Sequence, residues 1–182
     1  MIYKFQPFSI TKELGKEYNG HCELVPNDDD WILIIDYDCM ILTPKTYQVI
    51  ENAIKKYPDT LVFGALCNRL GLQSQRLEKQ PDENDSIMHH MLRAEALADW
   101  YADGECVDAN QAAGFFLLFR KSYWKENRFQ DTLMTPMGNL FDWIFTRQAG
   151  KVSGGIKIIL GAYLWHTYRL GKDWKDKSHL RS

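Results

Sequence analysis

The chain has 182 residues, 45% hydrophobic and 13% aromatic, with 22 basic against 24 acidic side chains and a formal charge of -2. This content excludes a largely disordered chain, and the length suits one domain with a sizeable core. The near-even charge gives no bulk attraction to nucleic acid or to an anionic membrane. Cys22, Cys39, Cys67 and Cys106 form no Cys-x-x-Cys pair, so they read as free thiols in a reducing compartment rather than a zinc knuckle or redox motif. Met1 to Phe5 lacks the long apolar stretch of a signal peptide, and no apolar run approaches the roughly 20 residues that span a bilayer. A soluble, cytoplasmic protein without a membrane span is expected.

The elements follow in order. Met1 to Phe8 reads as a first strand, and Ser9 to Glu23 as a helix with Leu14 and Tyr18 on one face and Gly20 as a stop. A polar turn over Pro26 to Asp30 leads into Trp31-Ile32-Leu33-Ile34-Ile35. A continuous run of that kind predicts a strand covered on both faces, as in a parallel sheet. Thr43-Pro44 opens a helix with Tyr47, Ile50, Ile54 and Tyr57 on one face, which Pro58 ends. Leu61 to Leu66 is a second buried strand, completing a strand–helix–strand unit. Asn68 to Asp85 is a long polar loop, of a length that is usually functional or mobile. Ser86 caps a helix to about Tyr101, which stops near Gly104. Ala112 to Phe119 is a third buried strand, and Leu140 to Gln148 a helix ending at Gly150. Ile156 to Leu160 and Tyr163 to Trp165 are short strands. The domain is expected to span 1–170, with a charged tail over 171–182.

The chemistry concentrates at Asp36-Tyr37-Asp38, directly after the first buried strand. Side chains two apart on a strand point the same way, so the two carboxylates should converge. Open α/β sheets bind ligands outside the carboxyl ends of their strands. Two carboxylates there repel unless a cation lies between them, and oxygen ligands favour magnesium or manganese that keep positions for phosphate oxygens. The bland alternative is a solvated acidic turn.

The ordered set of motifs resembles the family-2-like glycosyltransferases of GT-A fold. The strand ending in Asp36-Tyr37-Asp38 and the Pro44-started helix are similar to that group. So are Leu14-Gly15 through Asn19, Ala113-Gly114-Phe115-Phe116 through Arg120, Phe129, Asp142 through Gly150, and Trp165-His166-Thr167. The resemblance implies a single GT-A, Rossmann-like α/β domain with a mostly parallel central sheet flanked by helices and an abbreviated N-terminal half. It implies transfer of a sugar from a nucleotide-sugar donor to a saccharide, lipid-linked or protein hydroxyl, with inversion. Asp36, Asp38 and His166 would hold a divalent cation, manganese or magnesium. Asp142 would be the general base, with Asp131 its competitor. Ser9, Lys12, Asn19, Arg69 and Gly114 would line the donor, and Trp143 would stack on the acceptor sugar. Relatives often show an acidic pair at the base position and an acidic residue that reads the nucleotide base; neither has a clear counterpart here.

Other readings compete. A haloacid-dehalogenase-type phosphatase also uses Asp-x-Asp after an apolar strand, but it wants Thr or Val where Met40 stands. A nucleotidyltransferase suits two carboxylates and a metal, but no glycine-rich phosphate loop is present. A catalytically silent relative that binds a nucleotide-sugar or glycan is a third. His89-His90 read as packing or solvated, because adjacent residues do not share a helix face. Asp28-Asp29-Asp30 read as a solvated turn, and Phe115, Phe116, Phe119, Tyr123 and Trp124 as core.

Overall fold

A computed structural model describes residues 1–9, 13–131 and 140–167. Its strands are β1 (Ile2–Phe5), β2 (Trp31–Ile35), β3 (Cys39–Ile41), β4 (Val62–Cys67), β5 (Cys106–Ala109), β6 (Phe116–Arg120) and β7 (Ile156–His166). Its helices are α1 (Leu14–Glu23), α2 (Lys45–Lys56), α3 (Ile87–Trp100), α4 (Lys121–Glu126) and α5 (Phe141–Arg147). The result is an α/β fold around one seven-stranded sheet, ordered β1-β2-β6-β4-β7-β3 with β5 also on β7. Lys12 and the tail from 171 lie outside the described residues. No helix among the described residues is long and apolar enough to cross a membrane.

The sheet is mixed, which corrects the mostly parallel sheet expected above. β1 runs parallel to β2 and β4 parallel to β7, but β6 lies between β2 and β4 antiparallel to both. β3 and β5 also pair antiparallel with β7. A strand buried on both faces is apolar throughout whichever way it runs, so Phe116–Arg120 carries no sign of its direction. β2 is buried at every position and Ile32, Leu33 and Ile34 have no exposed surface. Such side chains each contribute about 1.5–3 kcal/mol through burial.

The two short strands expected near the end form one strand with a break in register. Ala65 pairs with Ile159, but Leu66 pairs with Tyr163, so Leu160 to Ala162 are extra on β7. The bend carries the end of β7 onto β3, where Cys39 faces His166 and Ile41 faces Leu164.

Helix α2 buries Thr46, Val49, Ile50 and Ala53 rather than a Tyr47-led stripe; Tyr47 is exposed and takes a hydrogen bond from Lys4 at 2.9 Å. Ser86 caps α3 by accepting from the His89 amide. Gly104 follows α3 with φ +75°, and a Cβ there would lie 2.3 Å from the Ala53 nitrogen. Only glycine satisfies both demands. The aromatics assigned to the core are there: Phe115, Phe116, Phe119, Tyr123 and Trp124 are all buried. Asp30 is buried rather than solvated, accepting from the Met1 amino group at 2.7 Å and from Asn27 at 2.9 Å. The four cysteines are free thiols.

Candidate functional site

Strands β2, β4 and β7 end at one edge of the sheet, and β6 begins there. Ile35 is level with Phe116, and Cys67 with Leu164. The chain past each strand end therefore converges: Asp36 to Asp38 after β2, Asn68 and Arg69 after β4, His166 closing β7, and Gly114 before β6.

Asp36 and Asp38 are joined by a turn, not by the strand alternation expected above. The Cys39 amide donates to the Asp36 carbonyl at 3.0 Å, closing a four-residue turn. Gln6 braces it, donating from Nε2 to the carbonyls of Asp36 and Cys39 at 3.1 and 3.0 Å. The turn gives the two acids different surroundings. Asp38 Oδ1 stands 3.4 Å from His166 Nε2, longer than the ~2.7–2.9 Å of a charge-assisted hydrogen bond. Asp36 instead accepts from the Tyr18 hydroxyl at 2.8 Å.

His166 is held on every side. Its amide donates to Asn68 Oδ1 at 2.8 Å, and its ring stacks on Phe115 with centroids 5.6 Å apart. Its Nδ1 lies 3.2 Å from the Arg69 carbonyl. A carbonyl only accepts, so this contact places the proton on Nδ1 and, in the neutral ring, the lone pair on the Nε2 that faces Asp38. A backbone carbonyl facing the other ring nitrogen is common at metal-ligating histidines.

Asp142 comes from the first turn of α5. Its Oδ2 accepts from the Gly114 amide at 2.7 Å, and its Oδ1 from the Trp143 amide at 2.8 Å. A Cβ on Gly114 would lie 3.0 Å from Asp142 Oδ2, so glycine lets this carboxylate dock on the strand entrance. Burial pushes Asp142 above the usual carboxylate range despite those amides. Burial likewise lifts Asp36 to about 6; the nearby charges of Asp38 and Asp142 add to it, while His166 and the Tyr18 hydroxyl oppose it. Two half-buried acids thus carry costly negative charge beside Asp38 and His166.

The other expected site residues are placed as follows. Asn19 is committed to the core: its Oδ1 accepts from Trp124 Nε1 and the Phe129 amide, and its Nδ2 donates to the Phe129 carbonyl. Arg69 is fully buried and paired with Glu83, so its carbonyl, not its guanidinium, is what it brings to His166. Ser9 is half-buried after β1. Trp143 is half-buried, with the Arg147 guanidinium 5.5 Å from its ring. Asp131 is exposed, and its carbonyl accepts from the Lys16 amide at 3.3 Å. An open cleft of about 700 Å³ adjoins the turn, lined by Lys4, Gln6, Tyr37, Met40, Tyr47 and Met91 among others.

No protein-family model matches the chain, and no curated protein matches it. The chemistry of this edge rests on its own geometry.

Tyr18 and Cys39, which have no site role in the sequence, stand at this edge, as does Asn68, which the sequence offers with Arg69 either as a donor contact or as a plain surface turn. Tyr18, read only as part of an apolar face, sends its hydroxyl to Asp36. Asn68 is 1% exposed; its Oδ1 holds His166 while its Nδ2 has no hydrogen-bond partner among the described residues. A buried donor left that way costs about 1–3 kcal/mol, which an anionic oxygen could recover. Cys39 carries no motif at all; its position opposite His166 exists only once β3 pairs with β7.

A second acid–histidine group lies on α3. His89 Nε2 is 2.9 Å from Asp82 Oδ2, and Arg93 Nη1 is 3.2 Å from the same oxygen. His90 is fully buried, with Nε2 2.7 Å from the Asn84 carbonyl and Nδ1 2.8 Å from the Tyr163 hydroxyl. Its Nε2 must donate to that carbonyl, and its Nδ1 then accepts from tyrosine. Neither nitrogen keeps a lone pair for a metal, so this group fastens the 68–85 loop to α3.

Proposed function

We propose that the chain is a divalent-cation-dependent glycosyltransferase of GT-A type that moves a sugar from a nucleotide-sugar donor to a hydroxyl acceptor. The observation that carries this reading is the 3.4 Å approach of His166 Nε2 to Asp38 Oδ1, at the carboxyl ends of parallel strands. The sequence-level resemblance orders the same residues. The donor set fits a cation: the imidazole Nε2 faces a carboxylate oxygen 3.4 Å away. A bound cation would neutralise charge developing on a departing diphosphate.

The chain's own groups do the rest. Asp38 and His166 hold the cation. Asp36, anchored by Tyr18, acts through water or on the donor ribose. Asn68 Nδ2 is a donor suited to a phosphate oxygen. Asp142 is the base that takes the acceptor hydroxyl proton; its lift by burial brings it closer to the range useful for proton transfer at neutral pH. The open cleft beside Tyr37 offers room for a substrate at that edge.

The experiment is hydrolysis of a panel of nucleotide-sugars by the full chain, with and without manganese. Cation-dependent turnover that disappears in Asp38→Ala supports the reading. Turnover that survives in Asp38→Ala overturns it, and release of inorganic phosphate from phosphomonoesters instead would point to phosphatase chemistry.

A further inference from the structure

The end of β7 pairs with β3 so that Cys39 stands directly opposite His166. Directly opposed residues of an antiparallel pair project from the same face. A carboxylate oxygen of Asp38, the Cys39 sulfur and an imidazole nitrogen of His166 all lie within 4.8 Å of one another. Asp38 is pinned from behind as well: its carbonyl accepts from the amide and the hydroxyl of Thr167, both at 2.9 Å. Three donors of three different elements therefore meet on a rigid two-stranded ribbon.

Two ligands about 2.0–2.2 Å from a tetrahedral ion stand roughly 3.3–3.6 Å from each other, and the Asp38 oxygen and His166 nitrogen are 3.4 Å apart. Magnesium asks for near-octahedral oxygen coordination, whereas nitrogen and sulfur donors suit zinc and its neighbours. In the rival group of Asp82, His89 and His90, both His90 nitrogens are taken, by the Asn84 carbonyl and the Tyr163 hydroxyl.

We propose that Cys39 is a third protein ligand of the cation, making an Asp38–Cys39–His166 site that takes zinc or cobalt(II) more tightly than manganese and holds magnesium weakest. This rests on the reading of Asp38 and His166 as a cation site and adds its third donor and its class of ion. On binding, the sulfur–hydrogen bond breaks, the proton passes to the buffer and the sulfur electron pair goes to the metal. The fourth position stays open for an oxygen of the donor.

The test uses the full chain, stripped with a chelator and titrated with cobalt(II). The expected result is a thiolate-to-cobalt charge-transfer band in the near ultraviolet that saturates at one equivalent. It should vanish in Cys39→Ser and persist in Cys22→Ser. Thermal shifts should rank zinc and cobalt above manganese, and manganese above magnesium. If Cys39→Ser does not fold, X-ray absorption of the zinc-loaded wild type decides, with a sulfur neighbour at about 2.3 Å expected. Cobalt bound with visible bands but no charge transfer, or a band that survives Cys39→Ser, overturns the role of Cys39 and leaves the Asp38–His166 site standing. Failure of every ion to bind overturns both.

Discussion

Two acid–histidine groups flank the end of β7, and they use the same residue types to opposite ends. At Asp82, Arg93 and His89 meet the carboxylate, and His90 spends both nitrogens on Asn84 and Tyr163. Around Asp38 the accounts stay open. Asp36 and Asp142 are lifted by burial, and the nearby charges of Asp38 and Asp142 raise Asp36 further. The chemical difference between a latch and a site is whether the protein neutralises its own buried charge.

The two groups also respond to pH with opposite sign. Burial holds His90 below its ordinary value. Asp82 is lowered too, because the Asn84 amide, His89 and Arg93 outweigh its burial. Both contributions stabilise the fold at neutral pH. That of His90 fades as pH falls below about 6.5 and that of Asp82 at lower pH, as it falls through the folded value. Asp36 and Asp142 do the reverse. A carboxyl raised in the folded state favours folding below its unfolded value of about 4, and that gain is lost as pH rises through the folded value.

The sharpest way to break this contrast is Asp38→Ala. Cation-dependent turnover of a nucleotide-sugar should fall by about 10²–10³-fold, with circular dichroism unchanged. Next in size, His90→Ala should cost about 2–4 kcal/mol in urea unfolding, through two lost hydrogen bonds and the stacking on Trp165. That variant should keep its thermal shift with manganese. If it loses the cation response while Asp38→Ala keeps it, the two roles are reversed.

Asp36→Asn removes buried charge. The metal-free variant should exceed the wild type by on the order of 2 kcal/mol at pH 7–8, and the gap should close below about pH 4. A gap that widens in acid would mean the carboxylate is paired after all. The smallest effect belongs to Asn68→Ala, which frees the His166 amide from its side-chain acceptor. Cation affinity should drop about tenfold in a calorimetric titration.

Much of this was legible along the chain, and the reason is local. Trp31–Ile35 is too continuously apolar to be anything but buried. Ser86 capped its helix as capping chemistry requires. β3, β5 and α4 were missed because each is short and takes its conformation from a neighbour: β3 is three residues paired along β7, and β5 alternates weakly. Asn19 belonged to the donor pocket by resemblance, yet its amide is spent on Trp124 and Phe129. No spacing in the sequence reveals that, because those partners lie more than a hundred positions away.

The sequence by itself determined the α/β class and the buried strands, because periodicity and caps are properties of neighbouring residues. Only the tertiary structure decided that β6 runs backwards, that Cys39 rather than Asp36 stands with Asp38 and His166, and that both nitrogens of His90 are spent on Asn84 and Tyr163. Those outcomes depend on which strand edges meet and which lone pairs are already taken, and both are set by distant parts of the chain once they pack together.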